Sequence, residues 1–257
     1  MARILITGST DGIGAAAAQL LVSRGHQVTL HARNETRAND TLTTVPGAKG
    51  VLIGDLTTIA GTKELAVKAQ EAGPWDSIIH NAGLGPSNPY LKTADGFAST
   101  FAVNSLAPYI LTSLLSKPQR LLYLSSSLHS GGDASLEDVA WQNRPFDSFQ
   151  AYSDSKLHDV LLANAVARRW GDVQACSLDP GWVKTKVGGI GAPGGIEGPA
   201  EAIAEFASGG GGFSGMGSGV YLGVGGSKTA HKAASDVGKQ DAFVKICEEL
   251  SGVKLPA

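Results

Sequence analysis

The sequence predicts a doubly wound α/β fold: a parallel sheet with helices on both faces, in one domain spanning residues 1–257. Three observations predict it. Short apolar runs alternate with longer helical patterns along the chain. A glycine cluster, Thr7-Gly8-Ser9-Thr10-Asp11-Gly12-Ile13-Gly14, separates the first apolar run from the first helical pattern. Small and polar residues follow the later apolar runs, where a parallel sheet places its ligands.

Arg3 to Thr7 reads as a buried strand, and Ile13 to Arg24 as a helix stopped by Gly25. Gln27 to Ala32 and Gly50 to Gly54 are the next strands. A helix from about Thr58 to Glu71 ends at Gly73-Pro74. Ser77 to His80 is a fourth strand. Asp95 to Ser116 is a long helix with Pro108 inside it, which implies a kink or irregular turn. Arg120 to Ser125, Val173 to Leu178 and Val220 to Val224 complete about seven strands. Ala151 to Trp170 and Ser235 to Leu250 are the remaining helices. Two stretches break the rhythm: Leu128 to Gln150, and the glycine-rich segment at about 188–226, which reads as a mobile loop over a site.

Composition narrows the class. Glycine contributes 34 residues, apolar residues 42% and charged residues 17%, with a formal net charge of −2. Such a chain buries a core, so disorder and a collagen-like architecture are poor readings. The balance of 21 basic and 23 acidic residues leaves no global field for nucleic acid. Two cysteines, Cys176 and Cys247, are too few for a disulfide scaffold and point to a reducing, cytoplasmic setting. No apolar run approaches a membrane span, and Met1 leads straight into a strand rather than a signal peptide.

The cluster at Thr7 to Gly14 has the order G-x-x-x-G-x-G. Gly8 allows a sharp exit from the strand, Gly12 a close approach of backbone to ligand, and Gly14 packing of the helix on the sheet. Helix N-terminal N–H groups then face a pyrophosphate, as in dinucleotide sites; a purely structural turn is the plain alternative. The second strand ends His31-Ala32-Arg33-Asn34, without the acidic side chain expected for NAD. Arg33 pairs with a 2′-phosphate in an NADPH reading, or is an exposed loop arginine. Asp55-Leu56 offers an acceptor for an adenine amino group and an apolar wall, or a helix-capping turn. Asn81-Ala82-Gly83 admits close backbone approach, although Asn81 can equally hold neighbouring strand loops together.

Tyr152 and Lys156 lie four residues apart on one helix face. A free phenol titrates at about 10, and a nearby ammonium lowers that value. Tyr152 can then give a proton to a carbonyl oxygen, or take it back in reverse. A serine of Ser125-Ser126-Ser127, at the end of the fifth strand, can hold that oxygen. Asn104 either binds a backbone carbonyl or water and extends a proton path from Lys156, or packs at the irregularity near Pro108. Pro180-Gly181-Trp182-Val183-Lys184-Thr185 follows the sixth strand, where Val183 backbone and the Thr185 hydroxyl suit a carboxamide. No His/Cys cluster has metal-site spacing, and no G-x-S-x-G turn supports a hydrolase.

Together these motifs resemble the short-chain dehydrogenase/reductase family. The resemblance runs from Ile4 to about Leu250 and rests on TGSTDGIG, DL, NAG, the Asn104 position, SSS, YSDSK and PGWVKT. It implies a Rossmann-type sheet and a tetrad of Asn104, Ser126, Tyr152 and Lys156, with Ser125 and Ser127 as the other serines. Lys156 would also hold the nicotinamide ribose, and Arg33 occupies a position linked with NADP. His80 stands where a second asparagine is common. The long segment before Tyr152 is similar to the retinol dehydrogenase-like and carbonyl reductase-like branches, which implies a bulky or apolar substrate. His129, Trp141, Phe149 and Trp182, with Phe146, are then pocket candidates or simply core. The family's habit implies a homodimer through the helices bearing Asn104 and Tyr152, although some branches with a long segment before the tyrosine are monomeric. The expected activity is reversible NADPH-dependent reduction of a ketone or aldehyde. Imine or activated C=C reduction, or non-catalytic NADP(H) sensing, are the alternatives.

Overall fold

The computed structural model describes residues 1–257. Its eight strands are β1 (Arg3–Ile6), β2 (Gln27–Ala32), β3 (Gly50–Ile53), β4 (Ser77–His80), β5 (Arg120–Leu124), β6 (Gln174–Asp179), β7 (Tyr221–Gly223) and β8 (Gly226–Ser227). They form one sheet in the order β3-β2-β1-β4-β5-β6-β7-β8. All neighbours pair in parallel except β7 with the two-residue β8, an antiparallel addition to the seven expected strands. The winding reverses between β1 and β4, and ligands of such sheets bind in the crevice at that point.

The helices are α1 (Gly12–Ser23), α2 (Glu35–Thr44), α3 (Ile59–Ala72), α4 (Ser99–Phe101), α5 (Ala107–Leu114), α6 (Ser148–Arg169), α7 (Glu197–Ser208) and α8 (Val237–Ser251). Alternation along the strands splits the core into two layers. Leu5, Leu121, Tyr123 and Ala175 face α3, α5, α6 and α8. Ile4, Ile6, Leu122, Leu124 and Cys176 face α1 and α7.

Three features differ from the sequence reading, and a fourth, the irregular turn expected near Pro108, matches it. The helix expected from Asp95 starts at Ser99, because Asp95 instead accepts the Ile59 N–H and caps α3 at 2.8 Å. A π-helical turn, Ala102–Leu106, joins α4 to α5 just ahead of Pro108. Helix α2 has no apolar periodicity; it is capped by Asn34 and buries only Ala38 and Thr41, so pattern could not reveal it. The glycine-rich stretch is not loop throughout: α7 lies inside it, burying Ala200, Ile203, Ala204, Phe206 and Ala207, with glycine on both sides concealing the pattern.

Helix α8 and the tail after it cover α5 and α6. Phe243 stacks on His158 at 4.6 Å, the Tyr109 hydroxyl donates to the Val253 carbonyl at 2.8 Å, and the Trp170 indole donates to the Pro256 carbonyl at 3.0 Å. Residues 151–163 are consequently all buried within one chain. Helix α8 packs on α6 and α5, the helices through which the homodimer was expected to form. No helix is long and apolar enough to cross a membrane.

Candidate active site

The glycine turn is held from below by buried polar groups. Gly8 and Gly12 have φ of 62° and 57°, a region that favours glycine. Gly8 also meets Ala82 so closely that no side chain fits between them. The Gly8 N–H donates to His31 Nδ1 at 3.1 Å, so Nε2 carries the proton given to the Gly54 carbonyl at 2.9 Å. Burial lowers the His31 pKa and keeps this neutral tautomer. Ser9 points inward: its hydroxyl donates to the Ile6 carbonyl and accepts the His31 N–H, both at 2.9 Å. Asn81 donates to the Thr7 and Gly8 carbonyls at 3.0 and 2.9 Å. The Thr7 hydroxyl oxygen takes the Asn81 and Ala82 N–H groups at 3.0 and 3.1 Å. Asn81 thus holds strand exits together, and Gly14 packs against its amide. Ile13 is half-buried against the α1 and α7 layer.

Asp11, at the N-cap of α1, makes no side-chain bond to the first N–H groups of the helix. Its carboxylate binds Arg37 Nη2 at 2.6 Å and Lys186 Nζ at 2.7 Å. Partial burial pushes its pKa up, but the two cations outweigh that and hold it below the usual range. Arg37 Nη2 also reaches the Thr10 hydroxyl at 2.7 Å. Arg33 is exposed with no side-chain bond, so the arginine that reaches the turn is Arg37, one helical turn further on. The Asn34 cap that starts α2 was the available signal for it. Asp55 is exposed and caps its own turn through the Thr57 N–H at 3.0 Å, while Leu56 is core.

The segment after β6 closes the opposite side. Pro180 is followed by Gly181, whose φ is 80° and whose N–H bonds Asp179 Oδ1 at 2.8 Å. Val183 is buried and bridges to Gly194; the Thr185 methyl lies over Gly12. Trp182 is 64% exposed and bonds only the Gly188 carbonyl, so it packs on its own loop.

The candidate reacting groups stand at the end of β5 and on α6. Asp147 caps α6 through the Gln150 N–H, which starts the helix at Ser148, ahead of the apolar pattern. Tyr152 is buried, and Lys156 Nζ lies 5.6 Å from its ring centroid. Lys156 donates to the Leu124 carbonyl at 2.6 Å and to Asp159 Oδ2 at 2.8 Å. Burial alone would lower the Lys156 pKa, but the Asp159 carboxylate raises it. Asn104 clamps Leu84 through both backbone groups, at 2.7 and 2.9 Å, and donates to the Ser155 hydroxyl at 3.0 Å. Ser125 is buried and spends its hydroxyl on the Lys156 carbonyl at 2.8 Å; Ser127 is exposed. Ser126 is half-buried, accepts one N–H from Leu128 at 3.3 Å, and keeps its proton free. Lys156 Nζ and Asn104 Oδ1 both face Gly83, at 3.9 and 3.6 Å from where a Cβ would stand.

The pocket candidates divide. His129 has both ring nitrogens engaged, Nδ1 donating to the Ser126 carbonyl at 2.8 Å and Nε2 accepting the His231 N–H at 2.9 Å. Burial lowers its pKa, so it orders the serine turn as a neutral ring rather than offering a nitrogen to substrate. Trp141 is buried with Ala98, Ala151 and Phe146 beneath the Arg144 guanidinium, which makes it core. Phe149 is 55% exposed, one turn before Tyr152 on α6. His80 stacks on Tyr123 at 4.9 Å and bonds the Thr112 hydroxyl at 3.1 Å; burial drives its pKa to about 3.

The chain is similar to known proteins in sequence and fold. Residues 2–189 match the family described as short chain dehydrogenase. An uncharacterized oxidoreductase of Emericella nidulans is 49% identical over 100% of this chain and 99% of its own. Retinol dehydrogenase 13 of Homo sapiens is 34% identical over 72% of this chain and 60% of its own. A crystal structure of an uncharacterized protein from Mycobacterium paratuberculosis superposes with a TM-score of 0.83, at 25% identity, over 100% of this chain and 96% of its own. With its glycine turn at the switch point of a Rossmann-type sheet and its Tyr–Lys pair on α6, the chain belongs to the short-chain dehydrogenase/reductase family of oxidoreductases.

Proposed function

We propose that this oxidoreductase reduces a ketone or aldehyde to an alcohol, reversibly, with NADPH as cofactor. The observation that carries the reading is the Tyr152–Lys156 pair, with the ammonium 5.6 Å from the ring and turned to the gap at Gly83. The glycine turn suits a dinucleotide: its backbone comes close without side chains, and the N–H groups opening α1 are not capped by Asp11. Gly8, Ser9, Thr10, Asp11, Gly12, Ile13 and Gly14 would line the pyrophosphate, and Pro180, Gly181, Val183 and Thr185 the nicotinamide end. When bound, the cofactor supplies the hydride.

The chain's own residues do the rest. Ser126 donates its free proton to the substrate oxygen and fixes its place. Tyr152 gives the phenol proton to that oxygen, or removes it from an alcohol. The Lys156 charge stabilises the negative oxygen left behind. Asn104 locks Leu84 and Ser155, which keeps the wall beside Lys156 in register.

Arg37 at the turn and exposed Arg33 support a 2′-phosphate, and β2 ends in Ala32 with no carboxylate. Phe149, Trp182, Val187 and Ile190 are exposed on the segments flanking the site, which favours a bulky, apolar substrate. Two buried, unpaired thiols suit a reducing cytoplasm. With α8 over α5 and α6, light scattering is expected to give a single-chain mass; a dimer mass would put the contact on another face.

The test is consumption of NADPH and of NADH with aldehydes, aromatic ketones, quinones and steroid-like ketones. Turnover favouring NADPH supports the proposal. Equal efficiency with both cofactors removes the NADPH preference. Tight binding without any turnover removes the reductase reading in favour of a sensor.

A further inference from the structure

Asp159 lies outside the groups that the Tyr–Lys chemistry calls for, yet it is buried beside them. It follows Lys156 by three residues on α6, and the two side chains are 3% and 6% exposed. An ammonium has three N–H donors. One goes to the Leu124 carbonyl at the end of β5, and a second to Asp159 Oδ2. One remains without a protein partner, and Nζ stands 3.9 Å from where a Gly83 Cβ would lie.

We propose that Asp159 is a positioning residue for Lys156: its carboxylate neutralises the buried ammonium and, with the Leu124 carbonyl, leaves a single N–H aimed into the cleft. This rests on Lys156 acting with Tyr152. A lysine this deep, without a countercharge, gives up its proton to escape the cost of desolvation. The Leu124 carbonyl orients the ammonium but carries no charge. Asp159 supplies the missing charge, and burial pushes its own pKa up only to about 6, so it is ionised at neutral pH. Tyr152 on α6 and Tyr123 on β5 are the other titratable groups facing the pair. Burial pushes the Tyr123 phenol up, and the π-helical turn contributes uncharged Asn104 and Ser105. Asp159 is the carboxylate paired with Lys156.

The experiment follows the Lys156 ammonium by carbon-detected NMR against pH in the cofactor-free protein, in wild type and in Asp159→Asn. In wild type the resonance is expected to titrate above the ordinary lysine value. In Asp159→Asn the midpoint is expected to fall by about one to three pH units. The basic limb of carbonyl reduction should move down with it, while kcat on the acid plateau changes less than tenfold. A wild-type lysine titrating at or below the ordinary value overturns the proposal without any variant. An Asn variant that melts earlier but keeps both the lysine midpoint and the rate limb also overturns it, because Asp159 would then only stabilise the fold. If no carbonyl is turned over, the reductase reading fails while the lysine titration still decides this one.

Discussion

The glycine turn and the segment after β6 face each other across the carboxyl edge of the sheet, and they are held in opposite ways. The turn rests on His31, Ser9, Thr7 and Asn81, whose bonds to backbone are largely buried and uncharged. The segment from Pro180 to Gly194 bonds mainly to itself and reaches the turn through the exposed Lys186–Asp11 pair. Removing a buried partner leaves a desolvated group unpaired, whereas an exposed pair returns its charges to water. The floor of the candidate site is therefore set by buried bonds, and its far wall by exposed contacts.

The largest effect should bypass both walls. Tyr152→Phe removes the proton donor but no wall contact, so kcat is expected to fall about 10²- to 10⁴-fold with NADPH affinity retained by fluorescence titration. A large loss of affinity would show that Tyr152 also builds the cofactor site. Next, Arg37→Ala should weaken NADPH by about ten- to a hundredfold, the worth of a charge-assisted bond of about 1.5–3 kcal/mol, and leave NADH nearly unchanged. Equal losses for both cofactors would assign Arg37 to the turn alone.

The floor itself is tested through His31. His31→Ala strands the Gly8 N–H and the Gly54 carbonyl and should cost about 1–3 kcal/mol in chemical denaturation. The pH dependence has a definite sign. His31 is depressed in the fold, as are His80 and His158, both at about 3, while unfolded histidine titrates at about 6.5. Their contribution is complete above about pH 6.5 and is lost as pH falls toward the folded values. Each adds a slope of about 1.4 kcal/mol per pH unit, and Asp159, raised in the fold, offsets about one of them below its own midpoint near 6. Denaturation midpoints that stay level from pH 7 to 5 would contradict buried neutral histidines. The smallest effect belongs to the far wall. Lys186→Ala should change stability by less than about 1 kcal/mol, and any change in cofactor affinity should fade with added salt. A large, salt-independent loss would make this wall as rigid as the floor.

Much of this was legible in the sequence, for physical reasons that differ by element. Strands buried on both faces leave continuous apolar runs, and a turn that needs positive φ leaves glycine at Gly8 and Gly12. A Tyr–Lys pair on one helix face leaves a four-residue spacing, so Tyr152 and Lys156 were readable before any coordinate. Helix α2 was not, because it buries almost nothing, nor was α7, because glycine surrounds it. Ser126 was chosen from the family resemblance, and the packing agrees with it, since Ser125 spends its proton on the Lys156 carbonyl.

By itself, then, the sequence determined the sheet, the glycine turn and the proposed Tyr–Lys pair, since each depends on local periodicity or spacing. Only tertiary structure decided which polar side chain serves the fold and which serves the site. His31, Arg37 and Asp159 acquire their partners through contacts made when helices and strands pack, and His129 and Trp141 lose their candidacy the same way. The covering of α5 and α6 by α8 is decided there too: a helix pattern tells that one face is apolar, but not which neighbour will bury it.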